Sequence, residues 1–263
     1  MRHVIGTLWA CASNFQAYPL LARASWREVW HYVITLVVMT SVILSLAIGR
    51  LFWRQMHELG DWLQQLPTIT ISDGTASFPG DSPFRLERLD TPGVGHIVVT
   101  LDRTQSSTVS PDLGDLRVLI TPTAMTVGDR AKTRTFPFHE MDDLVIDDAF
   151  LAQGVRRLTW WFCGLLPVLL FLYHLVAKWL QALLWSGVAY FVMWDRVRGA
   201  YPDLVRIAVF AVGPPTVFAL LLEVTLTTRA QPLLWLVYLA IYAVLFVGGT
   251  RAFLAGTRGH APS

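Results

Sequence analysis

Residues 33–48 read VITLVVMTSVILSLAI, sixteen consecutive positions without a charged side chain. The apolar stretch extends to Trp30 at one end and to Trp53 at the other. A helix needs about 20 apolar residues to cross about 30 Å of hydrocarbon. The segment therefore predicts a first transmembrane helix over residues 31–53, preceded by a cytoplasmic or interfacial segment over residues 1–30.

Further apolar runs follow in the second half of the chain, at residues 158–194, 207–222 and 232–248. The first of these contains only one charge, Lys178, and as a straight helix it would be roughly 55 Å long, too long for one crossing. We therefore expect a hairpin near residues 174–178. The resulting C-terminal bundle covers residues 155–250, with spans at about 155–175, 179–197, 205–223 and 232–250, and a tail at 251–263.

Residues 55–153 have a different composition, with fifteen Asp or Glu against seven Lys or Arg. Residues 68–72 alternate polar and apolar side chains, and Asp73-Gly74 is a favoured hairpin turn. Further alternating runs lie at residues 96–102, 116–121, 124–128 and 133–138, with a loop at 105–115. These runs predict a small sheet or sandwich whose apolar face needs a cover, either a second layer of its own or a helix that begins near Asp147.

The fold class predicted from these segments is an α+β membrane protein. About five transmembrane helices form a bundle, and a small, acidic, β-rich extracytoplasmic domain is inserted between spans 1 and 2. Of the residues, 54% are hydrophobic and 15% are charged, whereas soluble domains have about 25% charged residues. A bilayer accounts for this deficit of charge.

Charge in the short loops leaves the number of crossings open. With the N-terminus in the cytoplasm, five crossings place five Lys or Arg on each side once the long domain is set aside, so the positive-inside rule makes no choice. Four crossings require residues 178–194 to lie along the interface or re-enter, and they place eight cations inside against one outside. We expect five, because residues 179–194 are apolar on all sides, unlike an interfacial helix.

Sequence motifs for several chemistries are missing. The chain has no phosphate-binding glycine loop and no paired cysteines of a zinc site. An acidic cluster at residues 140–148 lacks the spacing of a calcium loop. Basic residues do not form a patch that would suit nucleic acid. We therefore expect no cofactor, no metal, no nucleic acid and no catalytic residues, and we interpret the chain as a non-enzyme.

Two ionisable residues inside the predicted spans, His174 and Glu223, are candidates for an intramembrane polar site, because such groups are costly in hydrocarbon and usually functional. The second candidate feature is the run Gly213, Pro214 and Pro215, which predicts a span-breaking hinge, since broken helices form transport sites in many membrane proteins. Both interpretations compete with a simple role as an interfacial anchor or a hydrogen bond inside the bundle.

Four stretches resemble the DUF1189 family of bacterial membrane proteins: residues 66–74 (LPTITISDG), 97–104 (IVVTLDRT), 118–127 and 206–214 (RIAVFAVGP). The order of parts is also loosely similar to Yip1-type five-span proteins. The resemblance implies a multi-pass protein of the bacterial cytoplasmic (plasma) membrane with residues 55–153 outside the cell. It transfers no activity and no site residues, because the family has none established.

The function expected from these features is non-enzymatic sensing, binding or scaffolding through the extracytoplasmic domain. The expected partners are the lipid bilayer and a membrane protein or a second copy of the chain. One alternative is a small transporter or channel component, or an accessory subunit of a transport system. A second alternative is a membrane-embedded enzyme that acts on lipid or envelope substrates.

Overall fold

The structure is a computed structural model that describes residues 2–91, 95–104, 116–129, 132–195, 200–225 and 231–258. The chain has an α+β fold that divides into two compact units. The helical unit consists of Met1–Arg50 and Phe162–Ser263, and the sheet unit is Leu51–Trp161. The predicted α+β class is therefore confirmed.

Six α-helices occur in the part of the chain that the structure describes. They are α1 (Arg2–Ser13), α2 (Tyr18–Ala22), α3 (Trp26–Leu63), α4 (Asp148–Val192), α5 (Tyr201–Thr225) and α6 (Gln231–Arg258). Four of them, α3 to α6, are long and apolar enough to cross a membrane. This property is compatible with the predicted membrane protein, although with four such helices rather than five.

The predicted hairpin near residues 174–178 is wrong, because α4 continues without a turn from Asp148 to Val192. Its sequence there, HLVAK, has no Gly or Pro and contains the good helix formers Leu, Ala and Lys. Pro167 lies inside the helix without ending it. A helix longer than the bilayer can tilt or continue beyond it instead of folding back, so apolar length alone does not require a hairpin.

Among the described residues of the sheet unit, eight strands form two sheets. They are β1 (Ile69–Ser72), β2 (Thr75–Ser77), β3 (Phe84–Thr91), β4 (Gly95–Leu101), β5 (Leu116–Ile120), β6 (Ala124–Asp129), β7 (Thr133–Pro137) and β8 (Leu144–Ile146). One sheet has the order β2-β1-β8 and the other β3-β4-β5-β6-β7. Neighbouring strands are antiparallel except β4 and β5, which are parallel.

The predicted hairpin at Asp73-Gly74 is confirmed. β1 and β2 pair in the register Ser72 with Thr75, and both turn residues have positive φ, 49° for Asp73 and 72° for Gly74. Positive φ at both central positions is the signature of a type I′ turn, and glycine adopts it without steric cost. The predicted loop over residues 105–115 lies outside the described residues.

The core of the sheet unit lies between the two sheets. Its buried side chains come from strands of both sheets and from two residues that directly follow strands, Phe78 and Phe138: Ile69, Ile71, Ala76, Phe78, Leu101, Ile120 and Phe138. The cover for the apolar face is therefore a second layer of strands, one of the two alternatives left open by the sequence. The sequence did not predict β3, which is rich in charge, or β8, which is only three residues long.

Candidate ligand-binding cleft

The two ionisable residues singled out from sequence are not joined by any contact that the structure describes. His174 is half-buried on α4, and its ring meets that of its neighbour Tyr173 edge to face at 5.2 Å. Glu223 belongs to α5, but its side chain lies outside the described residues. A polar site formed by this pair stays a prediction.

Helix α5 runs without interruption through Gly213, Pro214 and Pro215, and a hinge at these residues stays a prediction. Pro214 has no N–H, which leaves the carbonyl of Phe210 without its usual helical donor. The buried hydroxyl of Tyr32 on α3 donates to that carbonyl at 3.2 Å. A Cβ atom at Gly213 would collide with the same hydroxyl. Gly213 and Pro214 therefore form a docking point for Tyr32.

The segment before α3 also packs a tyrosine against a helix glycine. A Cβ atom at Gly249 of α6 would lie 2.7 Å from the ring of Tyr18, so the glycine makes room for that ring. The Tyr18 hydroxyl donates to the carbonyl of Cys11 at 3.2 Å. Burial raises the pKa of the Cys11 thiol to about 12, and a side-chain hydrogen bond between the thiol and Tyr18 offsets only part of that increase. The thiol is therefore protonated at neutral pH and is a packing group rather than a nucleophile.

A cleft of about 370 Å³ lies within the sheet unit, between the C-terminal part of α3 and the N-terminal part of α4. This volume is within the range of small-molecule sites in proteins. Its lining consists of Trp53, Met56, His57, Gly60, Asp61, Gln64, Ala149, Ala152, Gln153, Val155, Arg156 and Thr159. The lining is mostly apolar, with a few polar groups that can orient a ligand.

Three ionisable side chains line the cleft. His57 and Asp61 are one turn apart on α3, so they share a face of that helix. Arg156 lies opposite them on α4. Both a positive and a negative group thus border an apolar cavity, which is the arrangement expected for an amphipathic ligand rather than for a purely apolar one.

The α3 wall of the cleft is tied to the larger sheet. The Glu58 carboxylate forms ion pairs with Arg54 at 3.0 Å and with Arg88 of β3 at 3.6 Å. The indole N–H of Trp62 donates to the backbone carbonyl of Glu87 at 3.2 Å. These contacts hold the last turns of α3 against β3, so this wall is part of a folded element rather than a loop.

The α4 wall is fixed at the start of its helix, and two aromatic rings meet beside the cleft. The Asp147 carboxylate accepts the backbone N–H of Phe150 at 2.7 Å, which is an N-cap and stabilises such helices by about 1 kcal/mol. Trp53 of α3 and Trp160 of α4 pack edge to face with their ring centroids 6.3 Å apart. Ligand sites carried on rigid elements hold their geometry better than sites on loops.

Sequence reasoning missed this cleft because it ended the first helix at residue 53. In the structure α3 continues to Leu63, ten residues further. A signal was present, since residues 54–66 contain no proline and only one glycine, Gly60, before Pro67 stops the helix. Extending the helix would have placed His57 and Asp61 on one face near the start of α4.

Comparison with known proteins gives one result. The family model "Protein of unknown function (DUF1189)" matches residues 6–248, which is nearly the whole chain. The search of curated proteins and the search of solved structures gave no match. Since the family model covers far more than half of the sequence, the resemblance read from the four motifs is confirmed, and the chain belongs to the DUF1189 family.

Proposed function

We propose that the protein is a non-enzymatic sensor of the bacterial cytoplasmic membrane that binds an amphipathic ligand in the cleft between α3 and α4. The observation that carries the proposal is the position of the cleft. Its lining starts at Trp53 on α3 and reaches Arg156 and Thr159 on α4, close to the end of the apolar run of each helix, and Arg54 and Arg157 are the sequence neighbours of two of these lining residues. Tryptophan and arginine at such positions are typical of a membrane surface.

The four long helices support an orientation with both termini in the cytoplasm. An unbroken α4 favours four crossings over five, and four crossings place eight cations inside against one outside. The eight are Arg2, Arg23, Arg27, Arg196, Arg198, Arg206, Arg251 and Arg258, and the one is Arg229. In this orientation the sheet unit is extracytoplasmic, as the positive-inside rule favours.

The ligand that suits this cleft has an apolar portion and a polar head. Trp53, Met56 and Val155 supply apolar wall, while Arg156 and His57 supply donors for an acidic head group. A lipid or a lipid-like amphiphile that enters from the outer leaflet satisfies both requirements. The attached sheets would then transmit occupancy to a partner outside the membrane.

The test is photo-crosslinking in native membranes with a lipid that carries a diazirine in its acyl chain near the head group. We expect the label to map to peptides of residues 53–64 and 149–159. The Ala152→Trp variant fills the cleft and should reduce labelling at least about tenfold, because the space for the ligand is lost.

The matched control is Leu158→Trp, which places the same bulky residue on an exposed position of α4 outside the cleft. Labelling of this variant should equal that of the wild type. Equal labelling of Ala152→Trp and the wild type, or uniform labelling along the apolar helices, would overturn the proposal and leave only ordinary contact with bulk lipid.

A further inference from the structure

A second polar group of side chains lies in the helical unit, apart from the cleft. The ammonium group of Lys178 on α4 donates to the hydroxyl of Tyr238 on α6 at 2.9 Å and lies 4.6 Å from the centre of the same ring. The Tyr238 hydroxyl donates to Oε1 of Gln181 at 2.7 Å. These contacts form one continuous chain from α4 to α6 and back to α4.

The direction of this chain determines which atoms are left over. Lysine is only a donor, so the oxygen of Tyr238 accepts from Lys178 and its own hydrogen points to an acceptor, Oε1 of Gln181. The other end of the amide, Nε2 of Gln181, is buried from solvent and has no hydrogen-bond acceptor among the described residues. The indole N–H of the neighbouring Trp179 is in the same state.

The charge of Lys178 is also uncompensated in the part of the chain that the structure describes. No carboxylate oxygen among those residues is paired with it, and its contacts are the neutral ring and hydroxyl of Tyr238. Both Lys178 and Gln181 are half-buried on an apolar helix. A half-buried cation without a counter-ion and buried donors without acceptors both cost free energy.

The buried polar atoms of Trp179 and Gln181 that have no partner among the described residues are both N–H donors, and Lys178 adds a positive charge. The chemical complement of such a set is an oxyanion, which accepts several N–H bonds and neutralises the ammonium group. We propose that Lys178 and Gln181, held in place by Tyr238, bind a phosphate oxyanion. That group is either the phosphodiester of a lipid or a free anion, since both present the same oxygens.

The experiment has two arms that separate these sources. In the first, the protein in a neutral detergent without phosphate is titrated with a short-chain phosphatidylglycerol, and bound lipid is counted by native mass spectrometry. In the second, the protein in neutral detergent is titrated with inorganic phosphate while its melting temperature is followed. We expect saturable binding in one arm, with an apparent affinity that falls at least about tenfold in Lys178→Met.

Two further variants keep the test decisive if Lys178→Met does not fold. Lys178→Arg retains the charge and should retain binding, whereas Gln181→Leu retains Lys178 but removes the buried amide donor and should weaken binding severalfold. Lys132→Met in the sheet unit removes the chain's other lysine and controls for net charge. Binding should be unchanged in this control.

Absence of saturable binding in both arms of the wild type would overturn the proposal. So would equal losses in Lys178→Met and Lys132→Met, which would indicate non-specific attraction. The site lies in the helical unit and the cleft in the sheet unit, so either proposal can fail without the other.

Discussion

The helical unit and the sheet unit place their apolar side chains in opposite ways. In the helical unit large apolar residues such as Leu172 and Val176 are more than half exposed on a long helix. In the sheet unit Ile71 and Phe138 are almost completely buried between two layers. A helix that exposes apolar side chains is compatible with surrounding lipid, whereas a unit that buries them is compatible with surrounding water. The two units of the chain therefore fit different surroundings.

Polar groups differ between the units in the same sense. In the helical unit buried hydroxyls donate back to helix carbonyls, as Thr216 does to Val212 at 2.7 Å and Thr250 to Phe246 at 2.8 Å. In the sheet unit the buried carboxylate of Asp102 accepts from the backbone and hydroxyl of Thr104, at 2.8 and 2.6 Å. In the helical unit, buried hydroxyls therefore find hydrogen-bond acceptors within their own helix. In the sheet unit, a buried carboxylate finds its donors in the turn that follows it.

The largest predicted loss of stability is expected at Phe138, and it tests whether the two units fold separately. Its ring is 1% exposed in the core of the sheet unit, so Phe138→Ala should destabilise that unit by about 3–5 kcal/mol. Hydrogen exchange of the full-length protein in detergent should show fast exchange in β1, β5 and β6 and unchanged protection in α5. Loss of protection in both units together would show that they do not fold separately.

The control for this prediction is Phe136, which is 39% exposed on β7. Phe136→Ala removes the same number of atoms from a position outside the core. We expect its exchange pattern to resemble that of the wild type. A loss as large as that of Phe138→Ala would contradict the assignment of the core to the space between the two sheets.

The next effect concerns close helix packing, where the helical unit depends on glycine. Gly213→Ala places a Cβ atom against the hydroxyl of Tyr32 and should cost about 1–3 kcal/mol by overpacking. Gly164→Ala on α4 meets nothing within 4 Å and should be neutral or stabilising by up to about 1 kcal/mol. In detergent the melting temperature should therefore fall in Gly213→Ala and stay the same or rise in Gly164→Ala, and equal decreases would contradict the packing.

The elements predicted correctly from sequence were those with local signals. The apolar length of residues 33–48 and the Asp73-Gly74 turn each require only neighbouring residues for their interpretation. The failures involved partners distant in sequence. Tyr32 and Phe210 are 178 positions apart, and nothing local shows that a hydroxyl replaces the donor that Pro214 lacks.

The candidate site was missed for a related reason. Its walls come from α3 and α4, and Asp61 and Arg156 are separated in sequence by the whole sandwich. Each is an ordinary charged residue of an exposed helix when taken alone. In the sequence Lys178 is only a single charge in an apolar run, because its contacts with Tyr238 depend on the packing of α4 against α6.

The smallest predicted effect separates the contribution of the Tyr32 hydroxyl from that of its ring. Tyr32→Phe keeps the ring, which packs 4.8 Å from that of Phe210, and removes only the donor to the Phe210 carbonyl. The carbonyl is then left without the hydroxyl inside the bundle, and we expect a loss of about 1 kcal/mol.

Pro214→Ala is the second variant of the test, because alanine restores the backbone N–H that a continuous helix directs at the Phe210 carbonyl. In that background Tyr32→Phe should cost less, and the coupling between the two sites should be about 0.5–1 kcal/mol by a double-mutant cycle of unfolding in detergent. Strictly additive costs would mean that the hydroxyl does not compensate for the proline. A coupling of this size would show that a proline and a tyrosine on different helices act as one hydrogen-bonding unit. The strands of the sheet unit do not require such a pairing, because their backbone groups have donors of their own.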